Sequence, residues 1–264
     1  MLKEQVIIIG GGPAGVACAV QLKRYGIDPL LFERDSIGGL VKNAWRLDNY
    51  PGYPEGISGP ELVKKLKAHL DRFDIRYQKS EIRNLKYSSG RFEMSAPDLD
   101  LSAQLVVIAT GTKSKYATDK KICTEVYHLR DIKGKLIDIV GAGDAAFDYA
   151  MTLSAHNKVT VLNRGTKIRC VPALFEIAQK QANITYVENS NPGFSSDYTI
   201  FATGRKPELG CLSAELEENH RQLEQQGLLY IIGDVKNGTT RQTSVAIGDG
   251  IRAAMAIREK IISE

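Results

Sequence analysis

The sequence predicts an α/β fold on parallel sheets, and three observations carry that reading. Short apolar runs rich in β-branched residues recur along the chain, helical patterns alternate with them, and two glycine-rich turns each lie between such a run and such a helix. Buried parallel strands are expected at residues 6–9, 30–32, 105–109, 136–140, 159–162, 198–202 and 228–232. Helices are expected at residues 14–25, 60–73, 145–155 and 245–262, the second with Leu62, Leu66, Leu70 and Phe73 on one face. Residues 80–101 alternate weakly and carry turn signals at residues 88–90 and at Pro97, so they read as a small antiparallel meander. Asp138, inside an apolar strand, has no explanation at this level.

Composition narrows the classes. The 264 residues are 43% hydrophobic and 25% charged, which fits one large or two small globular domains and excludes a disordered, collagen-like or membrane-embedded chain. A net charge of +4 is too mild for a nucleic-acid binder. The four cysteines, Cys18, Cys123, Cys170 and Cys211, form no CxxC and no Cys/His metal spacing, so no metal site is expected and a reducing cytoplasm is the simple setting. No run of about 18 apolar residues is present, and the apolar start lacks a cleavage site, so neither a membrane span nor a signal peptide is expected.

The first turn, Gly10-Gly11-Gly12-Pro13-Ala14-Gly15, is a GxGxxG that follows a strand and opens a helix. Gly10 permits the tight turn, Gly12 lets backbone approach a pyrophosphate, and Gly15 lets helix and strand pack closely. The helix start offers free N–H groups and a positive dipole end to phosphates. Glu33, at the end of the second strand, stands where a carboxylate accepts hydrogen bonds from ribose hydroxyls. The second turn, Gly141-Ala142-Gly143-Asp144-Ala145-Ala146, repeats the arrangement as GxGxxA. Its second strand ends at Asn163 and Arg164 with no acid, and Arg164, Lys167 and Arg169 cluster there. Cations at that place suit a 2′-phosphate, favouring NADPH over NADH. Two Rossmann-like, three-layer dinucleotide domains in one chain of this length point to one flavin and one nicotinamide, between which hydride passes.

With these motifs the sequence resembles the low-molecular-weight thioredoxin reductase family of flavoproteins. It is most similar to the branch of thioredoxin-reductase-like ferredoxin–NADP reductases. Gly10 to Gly15 resemble the FAD turn, and Gly38-Gly39, followed by Leu40, resemble the glycine pair after the ribose-binding acid. Asn49-Tyr50-Pro51-Gly52 resembles the segment near the flavin, and Ala109-Thr110-Gly111 and Ala202-Thr203-Gly204 resemble the stretches before domain crossings. Gly233-Asp234 resembles the late motif whose Asp binds the flavin's ribityl or pyrophosphate region, and Arg241-Gln242-Thr243 the pair that opens the last helix. The resemblance implies FAD held by residues 1–112 and 227–264. It implies NADPH held by an inserted, truncated domain, residues 113–226, through Gly141, Gly143, Asp144, Ala145, Ala146, Asn163, Arg164, Arg169, Ala202, Thr203 and Gly204. A homodimer is implied as well.

The sequence departs from the family in three ways. Thr124-Glu125-Val126-Tyr127 stands where thioredoxin reductases carry their redox-active CxxC, so electrons are expected to leave the flavin directly. The inserted domain is pared down, with ten residues between the strands at 184–187 and 198–202, and with about 30 residues after Asp234 the flavin face is expected to be open to a partner protein or a small acceptor. No catalytic side chain is assigned. Tyr127 and His128, in the stretch that replaces the CxxC, are candidates to face the flavin, with His128 as a proton donor or as a structural group. Trp45 either stacks on the ring or anchors a core. The function expected is an FAD-dependent NAD(P)H oxidoreductase with an external acceptor: ferredoxin, flavodoxin, a quinone or a separate disulfide. The alternative is a flavoprotein that does not use NAD(P)H, as an oxidase or dehydrogenase of an organic substrate or as a flavin-carrying subunit.

Overall fold

The computed structural model describes residues 2–97, 99–193 and 195–263. The chain opens with β1 (Leu2–Ile9), α1 (Pro13–Arg24), β2 (Leu30–Glu33), α2 (Gly59–Arg72), β3 (Arg76–Lys79), β4 (Arg83–Ser88), β5 (Arg91–Ala96) and β6 (Leu99–Ile108). It continues through β7 (Thr112–Ser114), β8 (Ile122–Cys123), β9 (Leu136–Val140), α3 (Asp144–Leu153), β10 (Lys158–Leu162), α4 (Pro172–Gln179), β11 (Ile184–Val187) and β12 (Tyr198–Phe201). It returns through β13 (Arg205–Pro207), α5 (Ala214–Gln225), β14 (Leu229–Ile231) and α6 (Thr243–Ser263). Two units result: Met1–Val41, Glu61–Lys113 and Lys206–Glu264 form the first, and Lys42–Pro60 with Ser114–Arg205 the second.

The first unit has a seven-stranded sheet in the order β3-β2-β1-β6-β5-β4, with β14 also on β6. β3, β2, β1, β6 and β14 run parallel, and β4 and β5 are antiparallel. The expected meander and the expected strand at residues 105–109 are one continuous element. β6 pairs with β5 through Leu99 to Ala103, then with β14 through Val106 to Ile108, while β1 lines its other edge. Nearly all of β1's second half and of β6 is buried, as strands covered on both faces require. α1 begins with Pro13, whose fixed φ suits the first helical position, and ends on Lys23 and Arg24, which complement the dipole.

The second unit is a wholly parallel sheet in the order β11-β10-β9-β12-β8, with a core of Ile137, Ile139, Phe147, Val159, Val161 and Ile200. Asp138 now has an explanation: its carboxyl meets the Ser196 hydroxyl and the Gly193 amide, and burial pushes its pKa up. Both units are Rossmann-like α/β layers. Among the described residues no helix is long and apolar enough to cross a membrane.

The division differs from the expected boundaries in two places. Lys206 to Gln226 go with the first unit, because α5 buries Leu216 and Leu223 in the first core beside Leu85 and Leu229. α5 itself begins at a Ser213 cap that accepts from Leu216 N at 3.2 Å, with Glu215 and Glu217 in its first turn. Lys42–Pro60, which contains the Asn49-Tyr50-Pro51-Gly52 segment expected near the flavin, clusters with the second unit through the contacts described below.

Candidate functional site

In the first unit the carboxyl ends of β1, β2 and β6 meet at the first glycine turn. Gly10 N donates to Phe32 O at 2.7 Å, and Ala109 N to Ile9 O at 2.8 Å. Gly10 has φ +110°, and a Cβ there would fall on the Ala109 carbonyl; one at Gly15 would fall on the Gly10 carbonyl. The turn is therefore closed by backbone against backbone, a place only glycine fills. α1 opens at Gly12 with no side-chain cap, so its first N–H groups are unclaimed by a capping side chain. Glu33 accepts from Gly11 N at 2.7 Å and Asp35 N at 2.8 Å, which fixes its carboxylate beside the turn. Gly38 N donates to Gly11 O at 2.8 Å and brings Gly39 against Gly12, with Leu40 next in the chain.

Ala109, Thr110 and Gly111 follow β6, where the Thr110 hydroxyl donates to Glu208 O at 2.5 Å and Glu208 N to Gly111 O at 3.0 Å. Gly233 and Asp234 lie in a short 3-10 turn next to Ala14, and Arg241 and Gln242 immediately precede α6, which opens at Thr243 and whose Ala246 N donates to Gln242 O. The structure thus brings together Gly10 to Gly15, Glu33, Gly38 to Leu40, Ala109 to Gly111 and Gly233-Asp234. Asn49 is at the exposed tip of a loop closed by Leu47 and Ile57, in the segment that clusters with the second unit.

In the second unit a cleft of about 690 Å³ opens over the second glycine turn. Its walls are Gly141, Ala142 and Gly143, then Asn163 to Lys167 and Arg169, then Ala202 to Gly204, with Lys115 and Tyr116. Gly141 has φ +139°, and a Cβ there would lie 3.0 Å from Ala202 O. α3 begins at Gly143 with no side-chain cap. The Thr203 hydroxyl is buried with no hydrogen-bond partner among the described residues. Arg164, Lys167 and Arg169 are exposed, and among the described residues no hydrogen bond or ion pair engages their charged groups.

The backbone that carries these cations is tied down. Arg169 N donates to Ala142 O at 2.8 Å, and Asp144 Oδ1 accepts from Val171 N at 2.8 Å. Asn163 is 8% exposed and spends its amide on the loop itself, donating to Tyr186 Oη and Lys167 O and accepting from Gly165 N. These bonds of Asn163 and Asp144 fix the backbone around the cleft, whose wall Asn163 also forms. Ala146 is fully buried in the second core, and neither it nor Ala145 lines the cleft. Lys115 and Tyr116 were not foreseen. Their position follows from the crossing after Gly111, and Tyr116 stacks on Phe201 with ring centroids 4.4 Å apart.

The stretch at residues 124–128 is held by Lys42–Pro60. Asn43, 2% exposed, accepts from Val126 N at 3.0 Å and Tyr127 N at 2.9 Å through one oxygen. Arg130 donates to Ala44 O at 2.7 Å, and Trp45 N donates to Asp148 Oδ2 at 2.9 Å. Trp45 packs against the second core with the Arg46 guanidinium over its ring, so it is an anchor of that core. Tyr127 and His128 sit in an exposed 3-10 turn, His128 Nε2 being 3.6 Å from Cys123 Sγ. Burial pushes the Cys123 thiol up, and all four cysteines are free.

Asp148 gives this region a pH dependence. Burial raises its pKa to about 6, against the Trp45 and Arg46 amides and the Arg130 charge, which pull it down. An unfolded Asp titrates near 3.9, so between about pH 4 and about pH 6 the folded chain keeps a proton the unfolded chain has lost, and stability falls as pH rises through that window. Asp148→Asn keeps a carbonyl acceptor without the charge. It is expected to match the wild type near pH 4 and to be more stable by roughly 2 kcal/mol near pH 8 in thermal melts. A difference that does not change with pH would show that ionised Asp148 is not strained.

Two α/β units, each with a glycine turn at the ends of parallel strands and behind it a helix without a side-chain cap, define a two-domain Rossmann-like fold. The family model described as pyridine nucleotide-disulphide oxidoreductase matches residues 4–183, and the chain belongs to that family, in its low-molecular-weight thioredoxin reductase-like group. It is a flavin-dependent oxidoreductase by class. The thioredoxin reductase of Bacillus subtilis (strain 168) is 28% identical, over 97% of this chain and 94% of that protein. The Lactococcus lactis thioredoxin reductase superposes with a TM-score of 0.84 at 22% identity, covering 99% of this chain and 100% of that one. A bacillithiol disulfide reductase from Bacillus cereus superposes at 0.75 with 18% identity, covering 98% and 99%.

Proposed function

We propose that the protein is an FAD-dependent NAD(P)H oxidoreductase that takes electrons from NADPH through its flavin to an external acceptor, with no internal redox disulfide. The observation that carries the reading is the second unit's cleft, where an uncapped helix start, an orphaned Thr203 hydroxyl and the Arg164, Lys167 and Arg169 cations surround a glycine turn. A structural remnant would have no reason to keep that combination. The first site fits FAD as well, with a backbone-closed turn, a helix start without a side-chain cap and a fixed Glu33.

A bound nicotinamide supplies hydride and a bound flavin receives it. The chain's own work is binding and orientation. The starts of α1 and α3 would offer positive dipole ends to the pyrophosphates of the bound dinucleotides. Glu33 accepts from ribose hydroxyls in competition with Gly11 N and Asp35 N. The three cations select a 2′-phosphate. No side-chain acid or base is needed for the hydride step. The acceptor is a protein or small molecule, a disulfide included, since the B. cereus relative in fold is named as a disulfide reductase. The same reading takes the working form as a cytoplasmic homodimer.

The test is an anaerobic titration of purified protein with NADPH and then NADH, followed through the visible flavin bands. Bleaching by about one equivalent of NADPH is expected, with NADH much less effective. A yellow protein bleached by neither would overturn the reading and favour a flavoprotein reduced by an organic substrate or a partner chain.

A further inference from the structure

Gly248-Asp249-Gly250 sits at the end of the second turn of α6. Three poor helix formers in succession are a local cost that tertiary structure must offset. Gly250 explains itself by packing: a Cβ there would fall on the Ala14 carbonyl and lie 2.9 Å from Cys18 N, so its absence lets α6 lie against the first turns of α1. That approach carries Asp249 to the turn at Gly233–Val235. Its Oδ2 accepts from Gly233 N at 3.2 Å and from Asn237 Nδ2 at 2.7 Å. The other side of the turn is closed by its own backbone, with Lys236 N and Asn237 N donating to Gly233 O at 2.9 and 3.1 Å. Gly233, in turn, lies against Ala14 in the first turn of α1.

We propose that Asp249, acting through Asn237 and Gly233, is a positioning residue for the flavin. It locks the turn that carries Asp234 beside the start of α1, so that Asp234 meets the cofactor at a fixed place. A carboxylate holding a backbone N–H and an amide N–H is a charge-assisted clamp, stronger than a neutral pair. Asp249 does not itself touch the cofactor. The inference rests on the FAD reading above.

The experiment is a titration of deflavinated protein with FAD, followed by quenching of flavin fluorescence and by the visible spectrum of the bound form. Asp249→Ala is expected to raise the FAD Kd by about tenfold or more and to move the bound spectrum toward that of free flavin. Asp249→Asn keeps a carbonyl acceptor for Asn237 and is expected to recover most of the affinity. Asn237→Ala removes the same bond from its other end and should weaken FAD in the same direction. Helix content of the apoprotein and NADPH affinity should stay at wild-type values in all three. Wild-type FAD affinity in Asp249→Ala, or a loss shared by NADPH, overturns the inference. A wild-type chain that takes up no FAD overturns the functional reading instead, and is seen before any variant is made.

Discussion

Gly10→Ala is expected to yield a protein that holds no flavin and is destabilised by about 3 kcal/mol or more, while Gly26→Ala stays yellow and loses only about 1–2 kcal/mol. Both glycines have positive φ, +110° and +78°. Strain alone therefore predicts a modest loss at each. They differ in what a methyl group meets. At Gly26 nothing lies within 4 Å, whereas at Gly10 the new Cβ would fall on the Ala109 carbonyl, with Thr110 N at 3.0 Å. Those are backbone atoms of the strand end after β6, held by the bond from Ala109 N to Ile9 O, so no side chain can swing away. Relief requires β1 and β6 to part at the point where the pyrophosphate is expected. Thermal melts and flavin content of the two variants check this. Equal losses at the two positions would mean that the turn is not closed by packing.

That turn was legible because its information is local. A strand, three glycines at fixed spacing and a helix with Pro13 at its start determine the geometry within about 20 residues, and Glu33 follows from the next strand end. The second turn was legible for the same reason. α5 was not, because its surface is charged and only Leu216 and Leu223 are buried, too sparse a stripe to read as an apolar face. Its membership in the first unit depends on β14, which comes after it in sequence.

Asn43 and Asp148 were invisible for a related reason. Each serves backbone N–H groups about 80 and about 100 residues away, and nothing near Asn43 announces Val126 or near Asp148 announces Trp45. Asn163 and Asp144, expected as ligand contacts from their motif positions, also bond to the backbone around the loop that presents Arg164 and Arg169. Motif spacing locates a site; which of its polar side chains remain free for a ligand is decided by partners that spacing does not show.

Arg164→Ala and Arg169→Ala are each expected to raise the KM for NADPH by about tenfold and to leave NADH nearly unchanged. The reasoning starts from what each cation already does. Among the described residues neither guanidinium has a hydrogen-bond or ion-pair partner, so removal breaks no such contact of the resting protein and stability should hold. The backbone is fixed beneath them, at the end of β10 for Arg164 and across Ala142 for Arg169, so little ordering cost remains on binding. A planar guanidinium pairs with phosphate oxygens in a fork, whereas Lys167 offers a point charge, so Lys167→Ala should cost less than either arginine change. All three are solvent-exposed, which keeps each contribution at the low end for charge-assisted bonds and makes it shrink as salt rises. In the double variant Arg164→Ala with Arg169→Ala the preference for NADPH should largely vanish through loss of NADPH rather than gain of NADH. NADH lacks the 2′-phosphate but shares the Gly141 turn and the start of α3. Parallel losses for both cofactors would place the arginines on the pyrophosphate instead. No loss for either would remove the cleft from the nicotinamide pathway.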